Sequence, residues 1–210
     1  DKELVIEKFL HHINEIGYTS VMWSQDEKNP TIRGFNKVVS PGTFFSNNDI
    51  KISNNISCIW IELTKPSKKK NQIMYCGISN FNNITGDTML YEYEIVYSKS
   101  HTIYDELQRF ISIKNPSEVI IISSFTNEEV EKIIQYSNIN TNSIHIFNDK
   151  EKVINKCSQQ IYQHETFEKY FKTDINNDEE IMLKSTALQS LTYLLDFIYK
   201  HNPNLIRNIN

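Results

Sequence analysis

Apolar residues recur at two different periods along this chain, and the switch between them marks out its elements. Over residues 2–16, Leu4, Val5, Phe9, Ile13 and Ile16 fall close to helical spacing, and Gly17 is placed to end the helix. Residues 18–24 then read as a strand, 25–30 as a polar loop and 32–40 as a second strand that stops at Pro41-Gly42. Pro41 fixes φ for the second position of a tight turn, and Gly42 is expected to supply the positive φ of a type II turn. This helix-strand-strand unit is too small to own a core.

From Asn54 the pattern changes to three strands in succession, at 56–63, 72–79 and 88–97. A basic turn at 66–70 joins the first two, and Asn82-Asn83 with Gly86-Asp87 supplies turn chemistry between the next two. A helix is expected over 101–113, a strand over 119–122, a helix over 126–137 and a short strand over 143–147. The run Val119-Ile-Ile-Ile122 does not alternate, which marks a strand covered on both faces. Beyond residue 150 the pattern is helical. Val153, Ile161, Phe167, Tyr170 and Phe171 carry one irregular helix or two, and residues 174–180 form an acidic linker able to cap the next helix. A last helix near 179–201 sets Ala187, Leu188, Leu191, Leu195 and Ile198 on one stripe. That stripe is expected to lack its natural cover, and so to fold back or to pair two copies.

Composition narrows the function classes. At 210 residues the chain can bury a stable core. A net charge of −4 argues against a free-standing nucleic-acid binder, because backbone binding depends on Lys and Arg displacing counterions. The three cysteines, Cys58, Cys76 and Cys157, show no metal-ligand spacing and fit packed thiols in a reducing compartment. No apolar run approaches the roughly 20 residues that cross a bilayer, and no leader pattern is present, so a soluble intracellular protein with no membrane partner is expected. The chain opens on Asp1 and closes on Asn208-Ile-Asn210 after a long apolar helix, which reads as a piece of something longer. A single alanine among abundant Asn, Ile, Lys and Tyr points to an AT-rich coding sequence, such as that of a large virus or a protist.

Gly17-Tyr18, Gln25, Arg33-Gly-Phe-Asn-Lys-Val-Val-Ser-Pro-Gly-Thr43, Gly77-Ile-Ser-Asn80, Thr85-Gly86 and Pro116-Ser-Glu118 leading into Val119 stand in an order and at spacings that carry a family likeness. On these residues, chiefly over 10–125, the chain resembles the MutS family of DNA mismatch-repair proteins. The resemblance implies the end of a mismatch-binding domain at 1–45, a connector domain at 46–155 and the start of a helical core domain at 156–210. It also implies a ribonuclease-H-like connector, and three antiparallel strands followed by β-α-β are the order of that α/β fold. The expected architecture is thus a five-stranded mixed sheet with flanking helices and a partial N-terminal α+β unit. The composition directs the choice within the family to the branch found in giant viruses and coral mitochondria.

The resemblance further implies a piece that links the mismatch-reading domain to the core and ATPase. Its partners would be the rest of such a chain, a second protomer, mismatched duplex DNA through the parent, and a MutL-like protein. ATP and Mg would belong to the full-length parent. None of the five glycines forms a phosphate-cradling loop followed by Lys and Ser or Thr, and no Phe-x-Glu mismatch probe occurs in the sequence, so no cofactor is expected here. Arg33 and Lys37, four apart on one strand, are expected to point the same way and to meet DNA phosphates. Pro41 and Gly42 are the structural turn.

Catalysis is not expected. A ribonuclease-H-like nuclease or resolvase, the enzyme alternative, holds two divalent metals on a carboxylate cluster. Here the second strand ends in Asn80, a neutral amide. Glu92 and Glu94 share the polar face of the next strand, and Asp87 reads as a turn former. His11, His12, His101, His145, His164 and His201 are scattered and read as surface or capping residues.

Overall fold

The computed structural model describes residues 2–25, 31–43, 54–65, 71–171 and 178–209. Apart from Gln25, which ends a strand, the loop expected at 25–30 lies outside the described residues, as do the basic turn holding Lys68, Lys69 and Lys70 and most of the acidic linker. Helix α1 spans Lys2–Glu15, and strands β1, Ser20–Gln25, and β2, Arg33–Val39, form an antiparallel pair. Gly17, at φ +90°, ends α1 as the pattern anticipated. The Gly17 amide donates to the Asn14 carbonyl and the Tyr18 amide to that of Ile13, the paired bonds of a Schellman close.

The larger sheet contains β3, Asn55–Leu63; β4, Ile73–Asn82; β5, Thr88–Val96; β6, Glu118–Ser123; and β7, Ser143–Asn148. Its spatial order is β5-β4-β3-β6-β7. The first three strands pair antiparallel, while β6 lies parallel to β3 and β7 parallel to β6. That order and sense are those of a ribonuclease-H-like α/β fold, as the sequence pattern led one to expect. The interior strand β6, between β3 and β7, is buried along its whole length, which is why its apolar run does not alternate.

One face of the sheet is covered by α2, Asp105–Lys114, and α3, Asn127–Tyr136. Asn115 closes α2 in the left-handed region just before Pro116, and Thr126 with Glu129 opens α3 as a capping box. The other face is covered from beyond β7. Short α4, Lys152–Asn155, leads to α5, Gln160–Tyr170; α6, Glu179–Met182, is followed by α7, Ser185–His201. The single last helix expected near 179–201 is therefore two, broken at Leu183-Lys184, with Asp178 capping the first through the Ile181 amide.

The α7 stripe is not left bare. Leu188, Leu191, Leu195 and Ile198 pack on Ile56, Cys58, Trp60, Ile120 and Ile122 of the sheet, so the cover thought to be missing is the sheet itself. Burial of each such side chain contributes about 1.5–3 kcal/mol. Helices α5, α6 and α7, which fall within the stretch 156–210 expected to open a helical core domain, supply this second layer. Gly77 on β4 makes the contact possible: a methyl group there would lie 2.2 Å from the Thr186 carbonyl carbon and 2.3 Å from the Ala187 nitrogen. Glu92 on β5 accepts a hydrogen bond of 2.8 Å from the Ala187 amide, one of the donors a helix start leaves unpaired. Glu92 is thus a cap supplied by a neighbouring strand rather than part of a solvated polar face.

Candidate functional site

The turn Ser40-Pro41-Gly42-Thr43 sits on a carboxylate that is wholly enclosed. Glu118 opens β6, and its side chain faces the α7 side of the sheet with no solvent exposure. Its Oε2 accepts from the Ser40 hydroxyl at 2.7 Å and from the Gly42 amide at 2.9 Å. Its Oε1 accepts from the Ser143 hydroxyl at 3.4 Å and lies 2.7 Å from His145 Nε2, a contact that needs one proton between the two atoms. A carboxylate removed from water requires this many partners, since burying it unpaired would cost several kcal/mol.

The turn is equally well held from within and from above. The Thr43 amide donates to the Ser40 carbonyl at 3.0 Å, and the Ser40 amide to the Thr43 hydroxyl oxygen at 2.9 Å. Asn83, in the loop after β4, donates to the Gly42 carbonyl at 2.7 Å. Residues from β2, β4, β6 and β7 or their ends therefore meet at one point. The N-terminal unit touches the sheet a second time where Gly17 lies against Asn142, whose side chain donates to the Glu15 carbonyl at 3.2 Å.

The expected reason for Gly42 is corrected by this geometry. Gly42 does not adopt a positive φ, so the turn is not type II. Glycine is required because a methyl group would come 2.5 Å from Ile56 Cγ1 and 2.6 Å from Glu118 Oε2. Close approach, not handedness, selects it.

Arg33 and Lys37 do not point the same way. Trp23 pairs with Phe35 and Met22 with Lys37, leaving Asn36 as an extra residue in β2. A bulge of this kind breaks the alternation. Arg33 lies on the face of Trp23 and Phe35, whose rings meet edge to face at 6.2 Å, and Lys37 lies with Met22 on the other. Both basic residues are exposed. The Trp23 face also holds Val21 and is itself exposed.

Of the scattered histidines, His145 departs from the surface reading by joining Glu118. The sequence marks Glu118 only as an acid set directly before the apolar run Val119-Ile-Ile-Ile122. Asn80 is buried and structural: it accepts from the Ser57 hydroxyl at 2.9 Å and donates to Asn55. Asp87 accepts from Thr85 at 2.8 Å within its turn, as its sequence setting implied. Among the described residues no three His, Cys, Asp or Glu side chains are grouped so as to hold a metal ion. Nor is any helix among them long and apolar enough to cross a membrane.

No family model matches the chain. In sequence it is similar to a protein of Acanthamoeba polyphaga mimivirus described as a DNA mismatch repair protein mutS homolog, at 23% identity over 230 residues. That alignment takes in 99% of this chain and 20% of the relative, so the chain spans about a fifth of its length. Among solved structures, the fowlpox virus resolvase bound to Holliday junction DNA matches with a TM-score of 0.34 and 19% identity, over 66% of this chain and 98% of that one. The simian T-cell lymphotropic virus intasome in complex with the PP2A regulatory subunit B56 gamma matches with a TM-score of 0.27 and 11% identity, over 63% of this chain and 47% of that one.

Proposed function

We propose that this chain is the connector region of a MutS-like mismatch-repair protein, where it fixes the orientation of an N-terminal unit on a ribonuclease-H-like sheet and performs no bond-breaking of its own. The observation that carries this reading is the seating of the Ser40-Pro41-Gly42-Thr43 turn on buried Glu118. A turn clamped from several strands transmits a rotation, whereas a free loop would dissipate it. The likeness to the mimivirus protein along nearly the whole chain supports the same reading. So does the exposed Trp23 and Phe35 face of the N-terminal unit, which suits a surface covered by further protein.

On this reading the N-terminal unit is the end of a mismatch-binding domain, with Arg33 placed to meet a phosphate. Lys37, on the other face, would need a separate contact. ATP and Mg act in the parent, beyond this region. The direct test is a chimera: the mimivirus relative carrying this chain in place of its aligned segment should keep a preference for mismatched over matched duplex, and Glu118→Ala in that chimera should lose it. A chimera that folds and binds DNA without the preference overturns the proposal. Capture of a MutL-like protein by the chain alone, with DNA and ATP absent, tests docking separately.

A second reading, a diverged ribonuclease-H-like nuclease or resolvase, is favoured by one observation: the charges of Asp149 after β7 and of Glu92 on β5 both act on the Glu62 carboxyl of β3, which burial already holds above its ordinary range. Glu92, however, is engaged as the α7 cap. Mn²⁺-dependent cleavage of branched DNA that vanishes in Glu92→Gln and Glu62→Gln would establish this reading, and its absence is expected.

A further inference from the structure

A cavity of about 360 Å³ opens beyond the C-terminal ends of β5 and β6, on the side of the sheet that carries α2 and α3. Those two strands run in the same sense, and the space beyond such ends is where open α/β sheets commonly take ligands. Part of the lining is aromatic: the rings of Tyr97, directly after β5, and Phe125, shortly after β6, stack at 6.0 Å with 27° between their planes. Neither residue is fully buried. Lys99, in the link after β5, and Lys132 on α3 line the cavity as well, both exposed and paired with no acid among the described residues. Glu129 does not offset them freely, since its Oε2 already accepts from the amide and the hydroxyl of Thr126, both at 2.9 Å, in the capping box of α3.

Tyr104 supplies a further group of this lining. It is only 8% exposed, yet its hydroxyl has no hydrogen-bond partner among the described residues and is not one of the polar atoms sealed from solvent, so it opens on the cavity. A phenol buried this far ordinarily holds a protein partner; here the O–H is left for whatever fills the space. Burial, and then the neighbouring Tyr97, hold that phenol above its ordinary range, so it stays protonated and donates. Two uncompensated cations call for an anion, flat rings for a flat partner and an unmet O–H for an acceptor. A phosphate alone would leave the rings unused, and a plain aromatic molecule would leave the lysines unmet. We propose that this cavity is a binding site for a nucleotide, its base against Tyr97 and Phe125, its phosphate toward Lys99 and Lys132, and one of its acceptors on the Tyr104 hydroxyl. A free nucleotide and a nucleotide exposed in a single strand offer this chemistry alike, whereas bases in a duplex are stacked on one another and cannot reach the rings. The site lies on the face of the sheet opposite α7 and does not rest on the connector reading.

The test is nitrogen-resolved NMR of the whole chain during titration with adenosine 5′-monophosphate, with adenosine, ribose 5-phosphate, inorganic phosphate and O-phosphotyrosine amide as controls. The nucleotide is expected to move the signals of residues 97–101 and 125–132 saturably, with a dissociation constant of about a millimolar. Adenosine and ribose 5-phosphate should each bind at least about tenfold more weakly, because each lacks one half of what the cavity recognises. Lys99→Ala combined with Lys132→Ala should weaken the nucleotide by about tenfold. Tyr104→Phe should weaken it by about threefold and leave the denaturation midpoint unchanged or raised, since the hydroxyl holds nothing in the free chain. A hydroxyl with a merely structural role would do the reverse. A short single-stranded oligodeoxyadenylate without terminal phosphates separates the two sources: tighter binding than the mononucleotide at the same signals assigns the site to a strand, and weaker binding assigns it to a free nucleotide. No movement with the nucleotide, equal binding of ribose 5-phosphate or inorganic phosphate, tighter binding of O-phosphotyrosine amide, or unchanged affinity in the double lysine variant would each overturn the assignment.

Discussion

A methyl group added at residue 42 would have nowhere to go, since Ile56 and the Glu118 carboxylate already occupy its space. Gly42→Ala is therefore expected to lower stability by about 1–3 kcal/mol, read as a shift in denaturation midpoint at constant slope. Glu118→Ala should cost more, about 3 kcal/mol or above, because the Gly42 amide, Ser40 and His145 would lose a shared buried acceptor. The sequence flagged Pro41 and Gly42 as a turn but not the reason for the glycine, because that reason is Glu118, 76 positions away. The cysteines behave as packed thiols. Burial pushes Cys76 up to about 12, and burial with the nearby Asp196 charge does the same for Cys157, from an ordinary 9.0. Cys58 is raised by burial and then by Cys157. Between pH 9.0 and about 12 the unfolded thiols ionise while the folded ones stay protonated, so the unfolded state binds fewer protons and stability falls as pH rises. Denaturant midpoints measured across that window should decline, and thiol reagents at neutral pH should modify the chain only after unfolding.

At the scale of elements, α7 shows what periodicity reveals and what it hides. Its stripe of Leu188, Leu191, Leu195 and Ile198 was legible as one apolar face. What that face meets was not, because partner choice is set by strands far earlier in the chain. Two strand residues fix the docking: Gly77 admits the backbone of α7, and Glu92 caps it. Gly77→Ala should be the more damaging substitution, since helix backbone cannot yield as a side chain can, and a loss of at least about 3 kcal/mol is expected. Glu92→Ala should remove about 1 kcal/mol, the usual worth of a cap. Measuring both by equilibrium unfolding separates backbone clearance from capping; equal effects would contradict this division. The strands of the main sheet were read nearly to their ends because each is bounded by turn residues. The bulge at Asn36 was not, since a bulge leaves no mark in a run of alternating residues.

For the molecule as a whole, the strand order grew out of the succession of three meander strands and two β-α units, since few connections between such elements are possible. The balance of charge also speaks at this scale. With a net charge of −4 and Arg33 and Lys37 on opposite faces, the chain alone should bind matched and mismatched duplex weakly and alike. Titration of both duplexes should show less than about a tenfold difference, or about 1.4 kcal/mol. A larger preference would place a mismatch reader within these residues. The central claim is that the N-terminal unit and the five-stranded sheet move as one body because of the contact at Glu118. The most direct measurement is the distance distribution between spin labels on Val21→Cys and Ile113→Cys, both exposed positions, in a chain whose own thiols are buried. A single narrow distribution that broadens in Glu118→Gln, with the sheet still folded, is the predicted result. A broad distribution with Glu118 intact, or a narrow one that survives its replacement, would contradict it.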